Sequence, residues 1–381
     1  MSPRVAIVHD WLTGMRGGEK VLEALCERYP DADLFTLLHV RGSVSPIIER
    51  RRIATSWLQF LPGARRYYRL GLPIFPWLVE QFDLERYDVV ISSSHCVAKS
   101  VITRPDAVHV CYCHTPMRYA WDQFDAYFGP ARVGRAASAA LRPVLAGLAR
   151  WDRATAGRAQ RYVTNSQHVA RRIRRYYNRE ASVVYPPIDT AFFQPDASAA
   201  PGNNARRECL IVSALVPYKR IETAIDACRI AGVGLAIVGG GPERARLERV
   251  AAERGPGNSD VRFLGRLSDD DVRTAYQRAA AVLMPGEEDF GIVPLEAQAC
   301  GRPVVALAQG GARETILHNE TGVLVDEAGS EAFAAGIRAA LDRRFDPAVI
   351  RGHAERFGRA RFGDAMVAII DETRAGAVHA W

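Results

Sequence analysis

No window of the 381-residue sequence approaches the ~18 uninterrupted apolar residues that a membrane-crossing helix needs. The N-terminus runs from Met1 directly into a strand pattern ending at His9, so no secretory leader is expected and a cytoplasmic location is predicted. Long low-complexity runs are missing, and so is any repeat at solenoid or propeller spacing, which argues against disordered, fibrous and repeat architectures. The seven cysteines never form the paired C-x-x-C halves of a zinc site. Cys111 and Cys113 alternate along Val108 to Cys113 and predict a strand with both thiols on one face, as small buried core residues.

Acidic charge is also in short supply. The net charge is +7, and from Ala131 to Glu180 twelve arginines face only Asp152 and Glu180. Arg50, Arg51, Arg52, Arg65, Arg66 and Arg69 form a second basic group. Such fields attract phosphates, anionic lipids or nucleic acid, or else lie on solvated helix faces. Nucleic acid is disfavoured, and none is expected as a partner, because no recognition motif accompanies the charge.

A length of 381 residues with 48% hydrophobic content suits two α/β domains, each with its own core. Short apolar runs at Val5 to Val8, Val89 to Ser92, Val108 to Cys111, Tyr162 to Thr164 and Ser182 to Tyr185 alternate with helical segments, the pattern of a parallel sheet with crossover helices. A linker rich in Pro, Ala, Gly and Asn, Gln194 to Arg206, precedes a second series at Cys209 to Ser213, Leu235 to Val238, Val261 to Leu264, Ala281 to Met284 and Pro303 to Ala306. The expected organisation is a Rossmann-like domain over residues 1–190, a second over 205–355, and a helical segment over 356–381 packing back on the first. Two doubly wound domains would put their strand ends, where ligands bind in open α/β sheets, on either side of a central cleft.

The strand ending near His9 leads through Thr13 and Gly14 to Gly17 and Gly18 and then a helical run from Glu19 to Arg28, a place where backbone amides could meet an anion. The most informative stretch runs from Pro285 to Val305. Glu288 and Glu296 are separated by seven residues, and Phe290, Gly291, Ile292 and Val293 form a loop that opens a helix at Pro294, a favoured first-turn residue. Amides at that helix start suit a diphosphate. A carboxylate beside a diphosphate is repelled and serves better as an acceptor for hydroxyls, so the glutamates suggest sugar and ribose recognition. The alternative, acids stabilising a helix start through its dipole, accounts for Glu296 but not for the whole string.

On these residues the chain resembles the retaining GT-B glycosyltransferases marked by a glutamate, seven residues and a second glutamate (glycosyl transferases group 1). It is most similar to bacterial mannosyltransferases of O-antigen and exopolysaccharide assembly. The resemblance rests on His9 to Gly18, Tyr112 to Trp121, Val212 to Arg220 and the glutamate segment. It implies that Glu296 holds ribose hydroxyls, Glu288 the donor sugar, and the amides near Gly291 to Val293 the diphosphate. It further implies that Lys219 neutralises the leaving diphosphate, that Gly17 and Gly18 approach it from the first domain, and that His114 lies beside the anomeric carbon. Many relatives carry arginine where this chain has Ala214, so a second phosphate cation would have to come from elsewhere, with Arg220 at hand. Gly310, Gly311 and Glu314 match a segment near the donor, and Gly239 to Gly241 with Gly265, Arg266 and Leu267 should border the base.

The implied reaction is transfer of a hexose, with mannose from GDP-mannose preferred, to a glycan or a lipid-diphosphate-linked acceptor in polysaccharide or lipopolysaccharide assembly. UDP-sugar donors compete. A glycoside hydrolase using Glu288 and Glu296 as its carboxyl pair would leave Lys219 without a purpose, whereas a nucleotide-sugar epimerase or a non-catalytic nucleotide-sugar-binding protein stays open. No cofactor or metal is expected, because Ser268 followed by Asp269, Asp270 and Asp271 reads as a helix cap and first turn. The aromatic and aliphatic residues from Trp57 to Leu78, interleaved with Arg65, Arg66 and Arg69, suit peripheral attachment to an anionic membrane face. The rival expectation is that they pack on the sheet.

Overall fold

The computed structural model describes residues 3–196, 208–253 and 260–378. The expected linker lies outside the described residues from 197 onward, as do Met1 and residues 379–381 of the C-terminal segment. The chain divides into two compact units, Met1–Pro187 with Arg359–Trp381, and Ile188–Gly358.

The first unit is built on a seven-stranded sheet of β1 (Val5–His9), β2 (Asp33–Thr36), β3 (Ile53–Thr55), β4 (Val89–Ser94), β5 (Val108–Cys113), β6 (Arg161–Thr164) and β7 (Ala181–Val183). The order is β3-β2-β1-β4-β5-β6-β7, all parallel, with Ile7 registered against Leu34 on one side and Ile91 on the other. Strands β4 and β5 are buried along their whole length, as parallel strands covered on both faces are. Neighbouring residues point to opposite faces, so Val8, Phe35 and Val90 join one core with Phe75, Leu78 and Leu145, while Ile7, Leu34 and Ile91 join another with Val21, Leu22 and Leu25. Phe362, Met366 and Ile370, from the helix Arg359–Val378, complete that second core. Arg359 also pairs with Glu23 at 2.8 Å and Glu27 at 2.6 Å. Cys111 and Cys113 share one apolar cluster with Tyr162, Ile173 and Tyr177.

The second unit has a six-stranded parallel sheet of β8 (Glu208–Val212), β9 (Gly234–Val238), β10 (Val261–Gly265), β11 (Ala281–Met284), β12 (Val304–Leu307) and β13 (Gly322–Val325), ordered β10-β9-β8-β11-β12-β13. Ile211, Leu235, Ile237 and Leu283 pack against Ile221 and Ile225 of one helix and Phe333 and Ile337 of another. Ser268 accepts a hydrogen bond from the Asp271 amide at 3.2 Å, and Asp269, Asp270 and Asp271 form the first turn it caps.

Strands β2, β3 and β13 were not expected from the sequence. They are three or four residues long, as are β6, β7, β11 and β12, which the sequence did show. In both sheets the strand order reverses beside the first strand. The chain goes from β1 to β2 on one side and returns to β4 on the other, and likewise from β8 to β9 and back to β11. Loops diverge at such a reversal and leave a crevice outside the carboxyl ends of the strands, the usual ligand site of a doubly wound sheet.

Candidate functional site

In the first unit the reversal gathers polar side chains from the ends of three adjacent strands. His9 closes β1, Ser93 lies in β4, and His95 and His114 follow β4 and β5. The three imidazoles are mutual neighbours, with ring centroids 5.9 Å, 6.4 Å and 6.3 Å apart. Ser93 Oγ lies 3.1 Å from His9 Nδ1 and 2.8 Å from His114 Nε2, and His9 Nε2 lies 3.9 Å from Glu19 Oε1. A hydroxyl has one proton to give. The Glu19 carboxylate is beyond hydrogen-bond reach of His9 Nε2, but its charge favours a proton on that nitrogen; Ser93 then donates to His9 Nδ1, and His114 Nε2–H donates to Ser93. His114 Nδ1 is then left as an acceptor. Burial, helped by the neighbouring His95 and His9, holds the His114 pKa well below its ordinary value, which keeps this imidazole neutral near pH 7. Burial pushes the Glu19 carboxyl upward, but its electrostatic interactions with the nearby His9 and His95 outweigh that and leave it lowered.

Asp10 fixes the loop that carries His95. Its carboxylate is fully buried and accepts four backbone N–H bonds, from His95 and Cys96 at 2.7 and 2.9 Å and from Val97 and Ala98 at 2.7 and 2.8 Å. It also pairs with His95 Nδ1 at 3.1 Å. His114 is held in turn by its own amide on the Ser94 carbonyl at 2.8 Å and by Asn165 Nδ2 donating to its carbonyl at 2.9 Å. The helix Gly17–Arg28 begins at Gly17 rather than Glu19, so both glycines lie in its first turn. A Cβ on Gly18 would stand 3.7 Å from both His114 Nε2 and His9 Cε1, which places this helix start against the histidines.

In the second unit the reversal is lined mainly by backbone. Gly310 has φ +60°, and a Cβ there would stand 2.0 Å from the Glu288 carbonyl oxygen; a Cβ on Gly286 would stand 2.4 Å from the Tyr218 carbonyl oxygen. Only glycine permits such approaches, and they draw the loops after β8, β11 and β12 together. The Gly311 amide then donates to the Glu288 carbonyl at 2.8 Å, and the Lys219 ammonium forms an ion pair with the Glu288 carboxylate. Gly291, at φ +92°, is the cap of the helix Ile292–Ala299 and supplies no side chain to its first amides. Phe290 beside it is buried, with its ring 6.1 Å from that of Phe357.

The helix starts at Ile292, so Pro294 is its third residue and not its opening one, a correction to the expected start. No acid lies in its first turn. Glu296 is therefore too far along for the dipole account, which fades within a turn. It is 6% exposed, with Oε2 accepting from the Tyr276 hydroxyl at 2.9 Å. Arg220 follows Lys219 in the left-handed conformation, φ +50°, an unusual state for a residue with a side chain that clusters at functional sites. Gly265 closes β10, exposed Arg266 has Nε 3.5 Å from where a Gly240 Cβ would stand, and Leu267 is half-buried beside them.

Residues 195–360 match the family described as glycosyl transferases group 1, and residues 15–192 match Glycosyltransferase Family 4. The chain belongs to the glycosyltransferases. A GDP-mannose-dependent alpha-(1-6)-phosphatidylinositol monomannoside mannosyltransferase of Mycobacterium tuberculosis is 34% identical to it over 214 residues, 50% of this chain and 54% of that protein. A D-inositol 3-phosphate glycosyltransferase of Acidothermus cellulolyticus is 32% identical over 229 residues, 52% and 50% of the two chains. This glycosyltransferase thus spans about half the length of the curated relatives it matches. Among solved structures it resembles sucrose-phosphate synthase from Thermosynechococcus elongatus, with a TM-score of 0.71 and 20% identity over 98% of this chain and 100% of that one. It also resembles Anabaena HepE in complex with UDP-glucose, with a TM-score of 0.70 and 19% identity over 97% and 99% of the chains. These likenesses identify the fold as GT-B, with two Rossmann-like α/β units.

In this glycosyltransferase the structure gathers Lys219, Glu288 and the Gly291 helix start at one strand-end crevice and Gly18 and His114 at the other, while Arg220 lies in a depression with Glu222, Asp226 and Glu243. Sequence reasoning singled out His114 but missed His9, Asp10, Glu19, Ser93, His95 and Tyr276 as members of these clusters. Asp10 and Ser93 stand at strand ends, and that position was the available signal.

Proposed function

We propose that this glycosyltransferase moves a hexose, with mannose from GDP-mannose preferred, from a nucleotide-sugar donor to a glycan or lipid-diphosphate-linked acceptor in cell-surface polysaccharide assembly. The observation that carries the reading is the Lys219–Glu288 pair at the reversal of the second sheet, beside the helix start at Gly291. A cation and uncapped amides suit a diphosphate, and a carboxylate next to them suits the hydroxyls of the attached sugar. The name of the Mycobacterium tuberculosis relative favours mannose and GDP, while that of the Acidothermus relative specifies no donor; the HepE complex with UDP-glucose is the reason to keep UDP-sugars in the comparison.

In the proposed mechanism the acceptor oxygen bonds to the anomeric carbon on the face from which the diphosphate departs, so configuration is retained. The bond from that carbon to the phosphate oxygen breaks, and the acceptor proton passes to the departing phosphate. Lys219 and the amides of Ile292 and Val293 stabilise the negative charge that grows on the phosphates, a preorganised contribution aimed at the transition state. Glu288 orients the sugar, Glu296 the ribose, and neutral His114 accepts a hydrogen bond from the sugar. Arg220 is the candidate for the second cation that Ala214 does not supply. No metal is needed, so EDTA leaves transfer intact.

A thermal-shift panel of UDP, GDP, ADP and their sugars tests the donor. A ligand at a hundred times its dissociation constant stabilises by ~2.7 kcal/mol. GDP and GDP-mannose should give the largest shifts, and a UDP pair that outranks them would replace the base. Product analysis then separates transfer from epimerisation, which would change the sugar without an acceptor.

A further inference from the structure

The largest concentration of exposed apolar surface among the described residues lies in the first unit, in the segment that follows β3. Among the described residues fifteen large hydrophobic side chains are exposed, and seven of them are Trp57, Phe60, Leu61, Tyr67, Leu70, Ile74 and Trp77. Phe60 is 80% and Leu70 79% exposed, values that leave almost nothing of either ring or branch covered. Contiguous patches of this kind mark interaction surfaces.

The same segment settles between the two expectations for it by dividing its residues. Leu58, Tyr68, Phe75 and Leu78 turn inward and join the core against the sheet, while the seven above turn outward. The chain achieves this with a run of short helical turns, Trp57–Phe60, Ala64–Tyr67, Tyr68–Ile74 and Phe75–Val79, broken at Pro62, Gly63 and Pro73. Arg65, Arg66 and Arg69 are exposed among the apolar residues, with the Arg66 guanidinium 5.3 Å from the Tyr67 ring centroid. From Arg50 to Val79 the sequence contains six arginines and no acid.

We propose that this segment docks the protein on an anionic phospholipid bilayer. An acid-free stretch that mixes guanidinium groups with exposed aromatic rings matches the boundary between phosphate headgroups and acyl chains, where aromatic rings and arginine stems are both accommodated. Side chains projecting from successive short turns suit a fluid surface better than the single helix or extended strand that a shaped partner reads. The inward half of the segment reaches the candidate site. Trp11, two residues after His9, has ring centroids 5.4 Å from Tyr68, 5.9 Å from Phe75 and 4.5 Å from His95. A lipid-borne acceptor would therefore be delivered near the end of β1, a consequence that rests on the transferase reading; the docking itself does not.

Vesicle co-sedimentation of the full chain tests the proposal. The wild type should pellet with vesicles of phosphatidylcholine and phosphatidylglycerol but not with phosphatidylcholine alone, and high salt should release it. Reversing Arg65, Arg66 and Arg69 to Glu should weaken binding on the order of a hundredfold or more, since each basic residue near an anionic surface is worth about fivefold. Phe60→Ser with Leu70→Ser, both exposed and so expected to leave the melting temperature unchanged, should weaken it at least tenfold, roughly the value of burying those side chains. Wild type that stays in the supernatant at low salt overturns the proposal, as does binding that survives either set of changes. Vesicle-free self-association abolished by the Phe60 and Leu70 changes would assign the patch to a second copy instead. Nucleotide-sugar binding is measured separately, so a chain that binds vesicles but no nucleotide would reject the transferase reading and keep the docking.

Discussion

The two strand-end clusters occupy equivalent places in their sheets, yet they are built from different materials. In the first unit, side chains from residues 9, 10, 19, 93, 95 and 114 form a polar cluster in which Ser93 bridges His9 and His114 and the buried Asp10 carboxylate holds the loop of His95. In the second, closely approaching glycine backbone, a helix start and one ion pair form the crevice. A crevice lined by amides and a lysine is suited to holding charge. A cluster of buried imidazoles bridged by a serine hydroxyl is suited to fixing where protons sit. Under the proposed function this difference assigns the donor phosphates to the second unit and the chemistry at the sugar to the first.

The sharpest way to break that division is Lys219→Ala. If the second unit carries the charge of the leaving group, kcat should fall by about 10²- to 10³-fold, the usual scale for losing a group aimed at transition-state charge. Steady-state transfer assays measure it, and a change confined to KM would move Lys219 to ground-state binding.

His114→Ala should cost about 10²-fold in kcat with little effect on binding of the nucleoside diphosphate alone, because the first unit is assigned to the sugar. Ser93→Ala should cost less, about tenfold, by releasing the tautomer of His114. Nitrogen chemical shifts of His114 report this directly: the wild type should carry its proton on Nε2, and Ser93→Ala should give a mixture. A wild-type proton on Nδ1 would reverse the assigned hydrogen-bond chain.

Acidification should separate the units by stability. His109 is fully buried between the Ser92 hydroxyl at 2.8 Å and the Arg158 carbonyl at 3.1 Å, and burial lowers its pKa to about 4. The unfolded chain takes up this proton near pH 6.5, so the stabilisation is complete above that value and is lost as pH falls from 6.5 towards 4, by up to about 1.4 kcal/mol per unit. The lowered His114 acts in the same direction. Hydrogen exchange at pH 7 and pH 5 should show the first unit losing more protection than the second, and His109→Gln should reduce the difference.

The legibility of the two clusters in the sequence follows from the same contrast. The second was visible because Pro285 to Val305 is a single run, and glycines, a proline and two glutamates at fixed spacing carry local meaning. Its helix start was placed two residues late because Pro294 is tolerated anywhere in the first turn. The first was mostly invisible. His9, Asp10, Ser93 and His95 are ordinary residues in the chain and become a cluster only when β1 and β4 lie side by side, which is a tertiary event. Most strands were legible as short apolar runs, whereas β2 and β3 on one side of the first sheet and β13 at the edge of the second were not. The exposed apolar segment fell between these cases. Its composition was evident, but periodicity could not separate inward from outward residues across four short turns.

Isothermal titration of GDP and GDP-mannose into wild-type protein and Glu296→Ala tests the central claim most directly. The account predicts one site per chain, with Glu296→Ala weakening both ligands by at least about tenfold, the loss expected for a charged acceptor of hydroxyl groups. Affinities unchanged by the substitution, or no heat from any nucleotide or nucleotide sugar offered, would contradict a donor site in the second unit.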